Sequence, residues 1–290
     1  MSENELGALI GLLDDPDEHI FEQIRGKIMS FGEEVIPMLE SAWEANTFGV
    51  LFQSRVENII HEIQFDGVQI ALKDWADNRV GDLLEGVTLI ARYQYPDLDE
   101  AKLRGQIEQI QQDIWLELNH NLTAYEQVKI INHILYDVHG FSGNTSNYHA
   151  PQNSYINNVL ESKKGNPLSL SILYSVIGQN LGLPILGVNL PRHFILAYLD
   201  PMTVTPEIPL EDAKVLFYVN PFSRGGVFSR KEIDFFLRQL HLEYKDQYFR
   251  PCDNRTIVQR VINNLQYSYE KLGYPHKVRE VKMLGEAIAR

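Results

Sequence analysis

Cysteine is almost absent from the 290-residue chain, in which Cys252 is the only one. A single cysteine excludes an intrachain disulfide and a zinc site built from several thiolates. The chain also lacks the HExxH, Walker A and GxGxxG patterns, which mark zinc proteases, phosphate-binding loops and dinucleotide-binding turns. His133 and His139 are six residues apart, which does not place them on one helical face. We therefore expect neither a metal nor a cofactor.

Basic runs and long apolar runs are absent as well. The chain has 39 acidic and 26 basic residues, a formal charge of −13, and no Lys/Arg cluster that would attract nucleic acid or anionic lipid. Its N-terminus carries acids where a signal peptide needs basic residues. The most apolar stretch, residues 168–188, is too interrupted to span a bilayer, because it contains Gln179, Asn180, Gly182 and Pro184. These absences predict a cytoplasmic protein that binds neither nucleic acid nor membrane.

Helical patterns dominate residues 1–118. Ile20, Ile24, Ile28 and Phe31 recur at helix spacing and are followed by Gly32, a residue that commonly ends helices. Residues 9–39, with the turn DDPD at 14–17, resemble a pair of HEAT-like repeat helices. A helical domain without repeat ancestry is the alternative. We treat residues 1–118 as a helical region.

The hydrophobic pattern changes from helical to mixed helical and β-like in the middle of the chain. Asn166 can cap a new helix with Pro167 at its first position, and β-like runs follow at 185–190, 193–199 and 215–219. The last part, residues 233–290, returns to helical spacing, and residues 256–289 resemble one tetratricopeptide-type hairpin. The sequence thus predicts a mostly helical α+β protein with a core over residues 119–232 and a helical tail.

Three positions in the core follow the chain order of a papain-type site. A helix begins at Pro167, His193 lies on the second predicted strand after this helix, and Asn220 ends the third. In papain-type enzymes the nucleophile lies at a helix N-terminus, a histidine follows on a strand, and an Asn or Asp orients that histidine. This order makes the three positions candidates for a site.

Four separated strings carry a family resemblance: NHILYDVHGFSGN, NSYINNVLESKKGNPLSLSILY, LGLPILGVNLPRHFILAY and FYVNPFSRGG. With them the chain resembles the transglutaminase-like superfamily, in particular its SirB (invasion-regulator-like) family. The resemblance implies a transglutaminase-like core in which the catalytic cysteine position is Pro167, the histidine is His193 and the third residue is Asn220. Proline offers neither thiol nor hydroxyl, so the resemblance implies a cysteine-less, degenerate enzyme.

Ser169 and Ser171 are the hydroxyls nearest to that position. Ser169 lies in the first helical turn and could approach the site, but serine in such a position also commonly bonds the local backbone. His193 could equally be a satisfied core histidine. The polar loop 141–154 could roof the site through Tyr148 and Asn153, or could be a solvated turn.

Two functional hypotheses from different classes follow. The first is a pseudoenzyme that binds a peptide or protein partner in the cleft that is catalytic in active relatives. Its binding residues would be His193, Asn220, Asn153 and Tyr148. The second is an amide or ester hydrolase that uses Ser169, His193 and Asn220. A third possibility, a helical scaffold with a purely structural core, differs from the first in where its partners dock.

Overall fold

Helices make up most of the computed structural model, which describes residues 3–45, 49–205, 208–209 and 212–289. This is the mostly helical α+β class that the sequence predicts. The chain divides into two units, Met1–Ala71 and Leu72–Arg290. Among its described residues, the first unit contains helices and no strand, with α1 at Glu3–Gly11, α2 at Glu18–Met29, α3 at Ile36–Glu44 and the beginning of α4 at Val50–Asp74.

The turn between α1 and α2 is fastened by one buried arginine. Arg55, on α4, is 8% exposed and donates hydrogen bonds to the backbone oxygens of Leu13 and Asp15, at 2.8 and 2.7 Å. Asp17 caps α2 by accepting a hydrogen bond from the backbone N–H of His19 at 2.8 Å. Since a buried guanidinium and the orphan carbonyls satisfy each other, the DDPD turn has one defined geometry.

The second unit contains two small sheets among its helices. The first sheet is a parallel pair of β1 (Ser142–Gly143) and β2 (Lys164–Gly165). The second sheet is antiparallel, and its strands follow the order β3 (Ile185–Val188), β4 (Ile195–Leu199), β5 (Val215–Asn220) and β6 (Gly226–Phe228). The helices are α5 (Leu83–Gln94), α6 (Glu100–Glu117), α7 (Ala124–Asn132), α8 (Ile156–Ser162), α9 (Pro167–Asn180), α10 (Arg230–Gln239), α11 (Asn254–Leu272) and α12 (Pro275–Ala287).

The antiparallel sheet is covered on both faces at its second strand. Ile195, Ala197 and Leu199 of β4 are buried in one cluster with Ile233 and Leu237 of α10. The intervening side chains point to the opposite face, as alternation requires, and α9 packs against β3 and β4. A strand buried on both faces reads as a continuous apolar run, and the sequence ILAYL of β4 is one.

The predicted strand 193–199 needs a correction at its start. The strand begins at Ile195, and residues 191–194 form a turn, so His193 lies in the connection before β4 and not on the strand. Arg192 in this turn has a left-handed backbone conformation, with φ of 60°, which no strand residue adopts. The turn leaves the His193 side chain half-buried.

The division of the structure also differs from the boundary expected at residue 118. Helix α5 packs against α8, α9 and α11, and a side chain in place of Gly86 would meet Trp75 and Val258 at 2.6 and 3.0 Å. Nine of the twelve residues of α5 are buried, so the helix is covered on most of its faces by the elements around it. Residues 72–118 therefore form part of the same unit as the core.

Among the described residues, the structure contains no helix whose length and apolar character would let it cross a membrane.

Candidate binding cleft at the start of helix α9

Helix α9 begins with a reciprocal capping box. The Asn166 side chain accepts a hydrogen bond from the backbone N–H of Ser169 at 2.9 Å, and the Ser169 hydroxyl accepts one from the backbone N–H of Asn166 at 3.0 Å. Pro167 occupies the first helical position, where its missing N–H costs nothing. The cap and the proline position predicted from the sequence are both confirmed. Pro167 thus lies at a rigid helix start.

The hydroxyls near Pro167 are occupied by the backbone. Ser169 is 3% exposed, and its hydroxyl also lies 3.3 Å from the Asn166 carbonyl, to which it can donate. The Ser171 hydroxyl donates to the Pro167 carbonyl at 2.7 Å. A side chain at Gly165 would approach Ser169 Oγ to 2.6 Å, so only glycine leaves room for this cap. The capping role weighed for Ser169 is therefore the one that the structure displays.

His193 and Asn220 lie together, as the order of the chain suggests. Burial lowers the pKa of the His193 imidazole, a hydrogen bond with the Asn220 side chain acts in the opposite direction, and the nearby Arg260 guanidinium lowers the pKa further. The imidazole is consequently neutral at neutral pH. Its ring centroid lies 6.1 Å from that of Phe236 on α10. His193 can accept or donate one hydrogen bond but brings no charge.

Asn220 lies behind the cleft, at the end of β5. It is 7% exposed, its Oδ1 accepts a hydrogen bond from the Phe222 N–H at 3.1 Å, and its Nδ2 donates to Ser223 Oγ at 3.1 Å. These bonds fix the amide in the turn that follows the strand. Asn220 is not among the residues that line the cleft, and its role in ligand binding stays a prediction.

A cleft of about 500 Å³ opens in front of Pro167 and His193. This is within the usual range for a small-molecule or short peptide ligand. Its walls come from the loop before α8, the start of α9, the turn before β4 and one face of α11. The lining residues are Tyr148, His149, Ala150, Ser154, Asn166, Pro167, Leu168, Arg192, His193, Phe194, Arg260, Asn264, Tyr267 and Ser268.

The polar loop contributes one of its two predicted residues. Tyr148 lines the cleft, with its ring packed edge-on against His149 and Phe222 at 5.1 and 6.0 Å. Asn153 is 3% exposed and is not among the lining residues. Its amide accepts a hydrogen bond from Asn144 and donates to the Asn147 and Tyr148 carbonyls. The Asn153 amide is thus bonded within the loop and holds the Tyr148 backbone, and its role in ligand binding stays a prediction.

The lining residues Arg192, Arg260, Asn264 and Tyr267 were not predicted. Arg192 directly precedes His193, and that adjacency was a usable signal. The other three lie on α11, which the sequence pattern assigns to a flanking hairpin. Arg260 donates a hydrogen bond to Asn189 Oδ1 at 3.1 Å, which fixes its direction toward the turn before β4. Nothing local in the sequence indicates this placement.

The cleft is lined by aromatic and hydrogen-bonding groups. Across the described residues, no group of three or more His, Cys, Asp or Glu side chains could hold a metal ion. The position in front of His193 carries a proline, and the hydroxyls beside it are bonded to backbone. What the cleft offers are aromatic faces, amide groups and two guanidinium groups.

Residues 101–263 match the transglutaminase-like superfamily. A UPF0162 protein of Xylella fastidiosa (strain 9a5c) is 30% identical over 200 residues, which cover 67% of this chain and 66% of that protein. F-box only protein 21 of Homo sapiens is 24% identical over 272 residues, 84% of this chain and 41% of that protein. A UPF0162 protein of Vibrio cholerae is 26% identical over 182 residues, 62% of this chain and 63% of that protein.

No solved structure was found to match the chain. The chain thus spans just under two thirds of the length of these UPF0162 relatives and 41% of human F-box only protein 21. The superfamily match covers more than half of the chain and includes the start of α9, the His193 turn and Asn220. On this match, the chain belongs to the transglutaminase-like superfamily.

Proposed function

We propose that this protein binds a peptide segment of a protein partner in the cleft at the start of α9 and does not turn it over. The observation that carries the proposal is Pro167, which lies at the first position of α9 and lines the cleft beside His193. A helix start beside a histidine is where a thiolate nucleophile would be activated. Proline removes the nucleophile and keeps the shape of the site.

The hydrogen bonds of Ser169 favour binding over the alternative of a serine hydrolase. A serine nucleophile needs its hydroxyl within hydrogen-bond reach of a base. The Ser169 hydroxyl instead completes the capping box with Asn166, and among the described residues it has no hydrogen bond with His193. Freeing it would leave the buried Asn166 N–H without a partner, which costs about 1–3 kcal/mol.

The lining chemistry supports a peptide as the ligand. Tyr148 and Tyr267 present aromatic faces, which bind side chains with little loss of conformational entropy. Asn264 and His193 offer hydrogen-bonding groups for backbone amides. The similarity to F-box only protein 21 is compatible with a protein partner.

The remaining finer assignments belong to this proposal. We assign the chain to the SirB (invasion-regulator-like) type, with HEAT-like helices in the first unit and a tetratricopeptide-like hairpin formed by α11 and α12. We place its action in the cytoplasm, where the acidic surface, with a formal charge of −13, would favour solubility.

A synthetic octapeptide library tests the proposal. The library is made once with free C-terminal carboxylates and once with C-terminal amides, and it is incubated with the immobilised full chain. Bound peptides are identified by mass spectrometry, and their affinities are then measured individually by fluorescence anisotropy. We expect a set of peptides to bind and to be recovered intact after prolonged incubation with an equimolar amount of protein.

Tyr267→Ala and Tyr125→Ala form a matched pair of variants. The two tyrosines are 47% and 48% exposed, and each ring lies below the lysine four residues later, at 4.7 and 4.8 Å. Only Tyr267 lines the cleft. We expect Tyr267→Ala to weaken peptide binding about tenfold and Tyr125→Ala to leave it unchanged. Equal effects would place the binding elsewhere, and peptide cleavage that His193→Ala abolishes would make the protein an enzyme.

A further inference from the structure

The cleft has a charge opposite to that of the chain. The protein carries 39 acidic residues against 26 basic ones, yet the residues that line this cleft include two arginines and no Asp or Glu. Several arginines elsewhere in the second unit pair with carboxylates, as Arg238 does with Asp234 at 2.7 Å and Arg230 with Asp246 at 3.1 Å. Within the described residues, Arg192 and Arg260 have no such ion pair.

Arg260 is the more constrained of the two. It is half-buried on α11, and its Nη1 donates to Asn189 Oδ1 at 3.1 Å. Burial lowers the pKa of this guanidinium, and Tyr148 partly offsets that effect. A guanidinium has five N–H donors, and the described chain supplies a partner for one side of it. Holding a partly desolvated cation without a carboxylate is costly, so an anionic ligand would find a prepared partner.

Arg192 faces the same cleft from the turn before β4. Its backbone lies in the left-handed region, with φ of 60°, which is uncommon for a residue with a side chain. Pro191 precedes it and His193 follows. The side chain is exposed, with no hydrogen bond or ion pair among the described residues. It is therefore available to close on a ligand that Arg260 already holds.

Among the described residues that line the cleft, no anionic side chain competes for these two cations. His193 is neutral at neutral pH because burial and Arg260 both lower its pKa. Tyr148 keeps its proton, since burial raises the pKa of its phenol. Arginine binds carboxylates with two parallel hydrogen bonds, which gives direction as well as energy. The cleft is thus suited to a single planar anion beside aromatic surface.

We propose that Arg192 and Arg260 together form a carboxylate subsite, which recognises either the C-terminus of the bound peptide or an Asp or Glu side chain within it. This inference rests on the proposed peptide-binding function and states which chemical group the cleft selects.

The octapeptide library separates the two sources of the carboxylate. If the C-terminus is recognised, the amidated form of each bound peptide should bind at least tenfold more weakly than the free acid. If a side chain is recognised, amidation should have little effect and replacing the Asp or Glu by Asn or Gln should weaken binding at least tenfold. Either result supports the subsite.

Protein variants assign the effect to the two arginines. Arg260→Gln and Arg192→Gln should each weaken the acidic peptide and should cause no further loss with the neutralised peptide, which is the signature of direct coupling. Arg238→Gln removes an exposed, ion-paired arginine on α10 and should leave binding unchanged. Circular dichroism melts check the fold, and exposed Arg192 keeps the test valid if Arg260→Gln unfolds.

Two outcomes would overturn the inference, and they differ in what else they remove. If peptides bind but neutralising every carboxylate changes their affinity less than twofold, the subsite is wrong and the peptide-binding function stands. If no peptide in either half of the library binds, the proposed function and the subsite are both wrong. Equal losses in Arg260→Gln for the acidic and the neutralised peptide would assign Arg260 a structural role only.

Discussion

The Ser169 hydroxyl accepts a hydrogen bond of 3.0 Å from the backbone N–H of Asn166, and Asn166 Oδ1 accepts one of 2.9 Å from the Ser169 N–H. Two buried donors are thereby satisfied at the start of α9. The Ser169 hydroxyl is thus committed to the structure of the helix start and is not free to act as a nucleophile.

The first prediction concerns Ser169. Ser169→Ala should lower the free energy of unfolding by about 1–3 kcal/mol, because it leaves the buried Asn166 N–H without an acceptor. Urea unfolding measures this loss. A fluorophosphonate probe should not label the wild-type protein. The control is Ser162→Ala. Because the Ser162 hydroxyl is exposed, this substitution should lower the free energy of unfolding by less than about 0.5 kcal/mol. Labelling that His193→Ala abolishes would restore the hydrolase hypothesis.

The second prediction concerns pH. Burial lowers the pKa of His193 in the folded protein, whereas the pKa of a histidine in an unfolded chain is about 6.5. Below that pH the unfolded chain binds the proton more readily, so the stabilising contribution of neutral His193 is present above pH 6.5 and is lost as the pH falls through the lowered value. Urea unfolding of His193→Gln should show a shallower loss of stability between pH 7.5 and 5.5.

Asn264→Ala is the control for that experiment, because it changes a lining residue of the same cleft without removing a titrating group. It should retain the wild-type slope of stability against pH. An unchanged slope in His193→Gln would contradict the lowered pKa.

The third prediction concerns the only thiol. Burial, with a smaller contribution from Asp253, raises the pKa of Cys252 to about 12, against an ordinary value of 9.0. A shift of this size reduces the thiolate population at neutral pH by about a thousandfold, so iodoacetamide should modify native Cys252 far more slowly than the urea-unfolded chain. Cys252→Ser should retain peptide binding. Rapid alkylation of the native protein that abolishes binding would move the site to this region.

The fourth prediction compares two glycines. Gly225 and Gly182 have φ of 70° and 74°, but only Gly225 is crowded, since a Cβ there would lie 1.8 Å from Asn132 Oδ1. Gly182→Ala should cost about 1–2 kcal/mol from backbone strain alone. Gly225→Ala should cost about 1 kcal/mol or more in addition, because the new methyl group also overpacks the site. Thermal melts measure both losses.

Asn132→Ala removes the atom that the new methyl group meets, but it also removes hydrogen bonds with the Gly225 carbonyl and the Tyr174 hydroxyl. The clash is therefore measured within the Asn132→Ala background, where Gly225→Ala should cost less than it does in the wild type. Equal losses for Gly225→Ala and Gly182→Ala would show that Asn132 yields without cost.

The features that the sequence predicted are local ones. The Asn166 cap and Pro167 at the helix start depend on neighbouring residues, and the apolar run of β4 is buried on both faces as its pattern implies. The order of the chain predicts that His193 and Asn220 belong to one site, and this stays a prediction. Asn220 acts on the pKa of His193, and His193 lies in a turn and not on a strand.

The features that were missed depend on contacts between distant residues. Arg260 reaches Asn189, 71 positions earlier, and α5 is buried against α8, α9 and α11 although it precedes the predicted core boundary. Hydrophobic spacing indicates that a helix has an apolar face, but it does not indicate which partner covers that face. This is why the wall of the cleft formed by α11 could not be predicted.

The match to the superfamily ends at residue 263, whereas α11 runs without interruption to Leu272. Asn264, Tyr267 and Ser268, which line the cleft, therefore lie beyond the matched segment. A fragment cut at the family boundary would end in mid-helix and lack one wall of its own pocket. Substitutions of Asn264 or Tyr267 would thus change the cleft without changing any residue of the segment that defines the family.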